Sequence, residues 1–391
     1  MGSSGAGPSA VGFSLSRGGP FHRLLEALRL LGPRGLVSVR GAIALGLFAW
    51  LPLLVLALVE RHAFGGHGAL LADVHAWVTF LGALPLLLLA EHEIDLRLGM
   101  AVDYLHAADM VGERARPALD AALAELRRSL DERGAELLLA VIAYAATVPI
   151  ATAGATSWKL LDAATPAARL SLAGWWSTLV SVPLATFLLL RWLWRIALWA
   201  RFLARLARAP LRLVPLHPDR LGGLGAVEAA HASFALVALA VSASAMAGIA
   251  TRVLRTGAPV LAYKPLLVAT LLLPPLLFMA PLIVFAPALR RQRLRCLERF
   301  GVTGAHFGRA YDARWLDRRA EVGPDELGSP EHEAFSGLSE SFTRASATRR
   351  IPIGNDTVLL LLMATGLPIL VLLATEIPLG EILRSARVLL G

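Results

Sequence analysis

Seven uninterrupted apolar runs, at about 41–59, 74–90, 135–155, 172–190, 226–250, 265–289 and 357–375, constrain this chain more than any other feature it has. Each approaches the roughly 20 residues that a helix needs to cross a hydrocarbon core of about 30 Å. The composition agrees: 56% of the 391 residues are hydrophobic, only 17% are charged, and the mean hydropathy is +0.61. The expected fold is therefore all-α, a polytopic helical membrane protein with about seven transmembrane helices and amphipathic helices at the interface. No cleavage-like pattern follows an apolar stretch in the first thirty residues, so the N-terminus is expected to be retained.

Lysine and arginine set the orientation, because cytoplasmic loops keep positive charge during insertion. Counted between the runs, thirty of the 38 Lys and Arg fall in the segment before span one and the alternate loops after it, and eight fall on the other side. This places the N-terminus in the cytoplasm and the C-terminus outside. The net charge of +9 is then one basic face lying beside anionic headgroups of the bilayer, which needs no nucleic acid to explain it. The single cysteine, Cys296, allows no intrachain disulfide and no cysteine-based metal centre.

The organisation that follows is a cytoplasmic segment 1–40 with an amphipathic helix at about 21–31 and a flexible Gly/Ser-rich start, "MGSSGAGPSAVG". Residues 41–289 hold six spans, with a cytoplasmic helical loop at 91–134 and an interfacial helix and turn at 191–225. In the first of these loops Leu119, Leu123, Leu126 and Leu130 repeat at helical spacing, which predicts a stripe packed on a partner. In the second, Trp192, Ile196, Trp199, Leu203 and Leu206 share one side and Arg201, Arg205 and Arg208 another, the pattern of a membrane-surface anchor or a lipid sensor. A basic cytoplasmic segment, 290–356, is expected to be short helices around a loop containing "VGPDELGSP". Residues 357–391 carry the seventh span and a short outer amphipathic C-terminus.

The densest polar chemistry lies at 211–225, "LRLVPLHPDRLGGLG", between two apolar runs. Pro215 and Pro218 hold the chain extended, Asp219 can cap the following helix, and the glycines permit tight turning or close approach. His-Pro-Asp also occurs in J-domain co-chaperones, but a membrane span and a Trp/Arg helix replace the soluble hairpin which that motif needs. Gly222, Gly223 and Gly225 match no phosphate-loop pattern. His217 and Asp219 are two metal ligands without the rest of a coordination sphere. A structural turn and a gating or ligand-contact role both remain open, with His217, Asp219, Arg220, Gly222 and Gly223 as the residues concerned.

Within the spans, Glu228, His231, Ser242 and Met246 fall near one stripe of span five, beside small residues that admit a close helix neighbour. Glu228 and His231 join the candidate functional residues, either on an ion or proton pathway or merely snorkelling and hydrogen-bonding between helices. Pro274, Pro275, Pro281 and Pro287 in span six and Pro368 in span seven predict broken or kinked helices. Glu91, His92, Glu93 and Asp95 gather in "AEHEID". Glu91 and Asp95 share a face, which suits either a divalent cation or pairing with the many arginines nearby.

The run "LSLAGWWSTLVSVPLATFLLLRWLWRIALWARFLARL", then "HPDRLGGLG", residues 281–290, "FGVTGAHFGRAYDARWL" and "LPILVLLATEIPLGEIL" together resemble an uncharacterised family of bacterial multi-pass inner-membrane proteins. The resemblance runs from about residue 20 to the C-terminus and is most specific at the HPDR-GGLG element, where Leu221 stands at a position that family often fills with alanine. "GSPEHEAFSGLSESF" is a more divergent matching segment. The resemblance implies the topology and a bacterial inner-membrane location, and no activity.

Two functions of different classes are compatible with these residues. One is an oligomeric channel or transporter for an ion or small solute, working through span five and the broken span six. The other is a non-catalytic scaffold or regulatory subunit that presents its basic face and residues 290–356 to a cytoplasmic partner. No G-x-S-x-G elbow, metalloprotease signature, phosphate loop or haem-attachment sequence is present, so no catalytic, cofactor or metal residue is assigned.

Overall fold

A computed structural model describes residues 13–64, 69–152, 157–161, 169–313 and 330–376. Among these residues the fold is helical, with three isolated bridges and no strand. Ten helical elements follow in order: α1 Gly19–Ala27, α2 Val39–Val59, α3 Val74–Ala107, α4 Arg116–Leu130, α5 Arg133–Thr152, α6 Leu172–Leu206, α7 Gly225–Thr256, α8 Val260–Tyr311, α9 Pro330–Ser346 and α10 Asn355–Glu376. Six of them, α2, α3, α6, α7, α8 and α10, are long and apolar enough to cross a membrane. The expected third span coincides with α5, whose 20 residues rise about 30 Å; residues 153–155 of that run lie outside the described residues. The flexible start at 1–12, "VGPDELGS" at 322–329 and the outer C-terminus at 377–391 also lie outside them.

Three spans change their winding just before a proline. α3 widens into a π turn at Val78–Ala83 ahead of Pro85, α6 does so at Ser177–Ser181 ahead of Pro183, and α8 tightens into a 3-10 turn at Ala280–Phe285 ahead of Pro287. Proline offers no N–H and its ring crowds the carbonyl four residues back, which favours a change of pitch in the preceding turn, although Pro52, Pro274 and Pro368 sit in helices that keep theirs. The break expected in span six is therefore present, and spans two and four carry equivalent ones.

The spans define two ends. At the arginine-rich end the α1 region meets the α4–α5 connection, where the Gly19 N–H donates to Asp131 at 3.2 Å, and Arg212 N–H donates to the Met110 carbonyl at 2.9 Å. At the opposite end Leu172 N–H donates to Glu60, and Trp158 Nε1 donates to Asp73 at 2.9 Å. α10 starts beside Glu228 at the first end and finishes with Glu376 accepting from Val260 N–H at the second.

Several expectations need correction here. The first helix ends at Ala27 rather than about residue 31, because Arg29 turns into the left-handed region at φ 56°. The tryptophan side of 191–206 is not at a lipid interface: Trp192 and Trp199 are buried in the protein core, with Trp192 donating to the Leu87 carbonyl at 3.0 Å. The polar side carries Arg201 and Arg205, both paired with Glu125 of α4. The apolar stripe of α4, Leu119, Leu123, Leu126 and Leu130, is buried and α4 packs on α6. Residues 290–311 are no cluster of short helices but the straight continuation of α8 past the apolar run. A change from apolar to charged residues does not stop a helix when the incoming residues are good helix formers such as Arg, Gln and Leu.

Candidate functional site

The HPDR-GGLG loop is built around one carboxylate. Asp219 accepts from the N–H of Leu221 at 2.8 Å, Gly225 at 2.8 Å and Gly223 at 3.0 Å, and His217 Nδ1 lies 2.9 Å from it. Burial alone would raise its pKa; the N–H bonds from Leu221, Gly225 and Gly223, with His217, outweigh this and hold the carboxyl below its usual range. The other His217 nitrogen, Nε2, meets the Tyr104 hydroxyl of α3 at 3.0 Å. Asp219 thus satisfies the first N–H of α7 from six residues upstream, while the cap position itself is Leu224. Its partners are backbone and His217, and among the described residues it makes no ion pair with Arg220.

The glycines are required by geometry at two positions. Gly222 has φ +67° and Gly223 φ +96°, and a Cβ on Gly223 would lie 2.5 Å from the Met110 Cε. Arg220 is itself left-handed at φ 55°, and its carbonyl accepts from Arg349 N–H at 2.9 Å. Thr348 Oγ1 reaches the Pro215 carbonyl at 3.2 Å and Gly354 N–H donates to Glu228 at 2.9 Å. These three bonds stitch the 348–354 connection onto the loop and the start of α7.

The other candidates of span five do not share one polar path. Glu228 is engaged by Gly354. His231 is fully buried, with Nδ1 2.7 Å from the Val227 carbonyl and Nε2 accepting from Trp199 Nε1 at 3.2 Å. Ser242 donates to the Thr365 carbonyl of α10 at 2.6 Å, and Met246 packs in an apolar cluster with Ile249, Val260 and Leu267. Four residues on one stripe therefore meet four different neighbours. Among the described residues no group of three or more His, Cys, Asp or Glu side chains is placed to hold a metal. Glu91 and Asp95 turn to separate partners, Asp95 accepting from the Ser14 hydroxyl and, at 2.9 Å, from Leu15 N–H.

The structure also assembles charge that sequence reasoning did not single out. Arg191 of α6 reaches Glu136 of α5 and Glu91 of α3, both at 2.9 Å, and Arg195 reaches Glu91 at 2.7 Å and the Ser16 carbonyl at 2.7 Å. Phe21 N–H donates to Glu136 at 2.7 Å, and the Arg191 guanidinium stacks over the Phe21 ring at 5.1 Å. All four ionic side chains are buried. The available signal was the pair of arginines four residues apart on the side of α6 that carries Trp192.

Near the opposite end a cavity of about 360 Å³ opens between α3, α6 and α7. The π turn of α3 places Thr79 on its wall, where Thr79 and Ser244 hydroxyls meet at 2.7 Å and His75 Nδ1 lies 3.2 Å from the Ser244 carbonyl. Ala240, Ala245 and Gly248 leave the room, and Leu84 and Leu87 line its apolar part. Thr251 links His75 N–H to the Asp73 carboxylate. Compared with protein-family models, with curated proteins and with solved structures, the chain matches none.

Proposed function

We propose that this chain is a bacterial inner-membrane protein that passes an ion or a small solute through its bundle by way of the cavity between α3, α6 and α7. The observation that supports this is the π turn at Val78–Ala83, which turns Thr79 and its hydroxyl partner Ser244 onto a cavity whose wall also carries His75 and Arg252 among small and apolar residues. π turns concentrate at functional positions, and irregular winding at membrane depth is tolerated where it lines a cavity. Leu87, on the apolar part of the cavity wall, is one helical turn from Glu91, so the apolar end of the cavity lies next to the buried ionic network along α3. Purified protein in liposomes, tested against a panel of ions and small solutes, should show a flux that Thr79→Leu and Ser244→Leu reduce about tenfold and His217→Ala leaves near the parent value. Unchanged leak for every species tried would refute the reading.

A second reading, a scaffold or regulatory subunit for a soluble partner, is favoured by the polar half of α8 and its companion α9. This pair leaves Val302, Phe307 and Phe342 exposed beyond the membrane-length part of the bundle. Crosslinking with mass spectrometry separates the two: a reproducible partner on these residues favours the scaffold, and crosslinks between copies alone favour a homo-oligomeric transporter.

A further inference from the structure

A groove of about 720 Å³ lies at the arginine-rich end, between the last turn of α6 with the 207–213 connection and the part of α8 around Pro287. Three exposed arginines, Arg208, Arg291 and Arg295, line it, and no carboxylate does. This sets them apart from Arg191, Arg195, Arg201, Arg205 and Arg212, each paired with an acid. Among the described residues Arg208, Arg291 and Arg295 have no acidic partner. The rest of the wall is apolar, including Ala204, Val284 and Pro287. It stands at the level where the apolar run of α8 gives way to "RRQRLR", which is headgroup depth for a helix crossing a bilayer.

A site with cationic groups at one end and an apolar wall running into the membrane suits an amphiphile whose head carries negative charge. We infer that this groove binds the phosphate of an anionic glycerophospholipid, with an acyl chain along the Ala204–Val284 wall. Arginine forks match phosphate oxygens and keep their charge at every physiological pH. The HPDR-GGLG loop sets the site's shape: a Cβ at Gly222 would touch Leu213 and Leu289 at 3.4 Å, and Gln292 of α8 donates to the Leu213 carbonyl at 2.9 Å, so the loop fixes α8 against the end of α6. This binding is independent of whether the protein transports.

The test is native mass spectrometry and thermal unfolding of the full chain in detergent, titrated with phosphatidylglycerol, phosphatidylcholine, glycerol 1-phosphate or inorganic phosphate. Phosphatidylglycerol should bind saturably and raise the melting temperature, with phosphatidylcholine much weaker. Affinity should fall about fivefold for each of Arg208, Arg291 and Arg295 changed to Gln, and R208K/R291K/R295K should retain most of it. Arg299→Gln with Arg309→Gln, further along the same helix, should leave it unchanged. If the triple Gln variant does not fold, exposed Arg291→Gln alone still carries the fivefold expectation. Equal loss in the Arg299/Arg309 control, full binding by R208Q/R291Q/R295Q, or preferential binding of either soluble phosphate would overturn the assignment.

Discussion

Two carboxylates illustrate how a polar side chain is kept in this bundle. Glu91 faces two guanidiniums, and replacing it with Gln leaves Arg195 buried without a carboxylate while Arg191 keeps Glu136. An uncompensated buried charge costs about 3–5 kcal/mol, so Glu91→Gln should lower detergent stability strongly. Glu91→Gln with Arg195→Gln restores neutrality and should cost less than the sum of the single changes. Strict additivity in denaturant unfolding would show that the network is not coupled. Asp219 differs in being partly exposed and held by N–H donors, an arrangement Asn cannot reproduce because its amide nitrogen would confront one of them; Asp219→Asn should cost about 1–3 kcal/mol at neutral pH. The folded pKa lies below the ordinary 3.8, so this contribution is present above that value and is lost as pH falls through the lowered one. Melting curves should therefore separate parent and variant at neutral pH and converge in strong acid; a constant gap would mean that charge is not what Asp219 supplies. The pairing of Glu91 with arginine and the turn role of the HPDR residues were legible from residue type and position. Arg191 and Arg195 were not, because an amphipathic pattern shows that a helix has an apolar side without showing whether lipid or protein covers it.

At the scale of elements, apolar length located the spans, while the details of their winding came from prolines and their neighbours. Pro275 has no N–H for the Leu271 carbonyl, and the Thr365 hydroxyl of α10 lies 3.0 Å from that carbonyl. A buried acceptor without a donor costs about 1–3 kcal/mol, so Thr365→Val should destabilise by that amount and Thr365→Ser should not. Adding Pro275→Ala to the valine variant returns an N–H to Leu271 and should recover part of the loss in thermal unfolding; no recovery would place the role of Thr365 elsewhere. The winding change expected in span six occurs at Ala280–Phe285, ahead of Pro287, whereas Pro274, Pro275 and Pro368 lie inside helices that continue through them. Pro85 and Pro183 were as visible in the sequence, but whether a proline starts a regular helix or widens the turn before it depends on the packed neighbour. At Gly46 of α2, for example, a Cβ would lie 2.8 Å from the Phe80 carbonyl inside the π turn of α3. Charge composition likewise misplaced the end of α8, since helix termination follows from capping and proline rather than from polarity.

The whole molecule separates charge along its long axis. The described chain begins near Phe13 at the arginine-rich end, where Leu15 N–H donates to Asp95, and Glu376 finishes at the other, against Val260. An odd number of crossings connects those two ends, which agrees with the six membrane-length helices plus the 20-residue α5. In the sequence, thirty Lys and Arg fall before span one and in the alternate loops after it, against eight in the remaining segments, which predicts that the arginine-rich end stays in the cytoplasm on insertion. Reporter fusions after Arg128, Arg208 and Arg319 should then give cytoplasmic signals, and one after Gly391 an external signal. The experiment also bears on α5: if it lies along the membrane instead of crossing it, every reporter after it changes side. Fusions at Arg208 and Gly391 would then report the reverse of Arg128 and of the present prediction, respectively. Because Arg191 and Arg195 hold Glu91 and Glu136 at the level of the α1 region, which Phe21 N–H and the Ser16 carbonyl tie to Glu136 and Arg195, such an inversion would have to carry that region to the opposite face from these partners, and the bundle would not survive it.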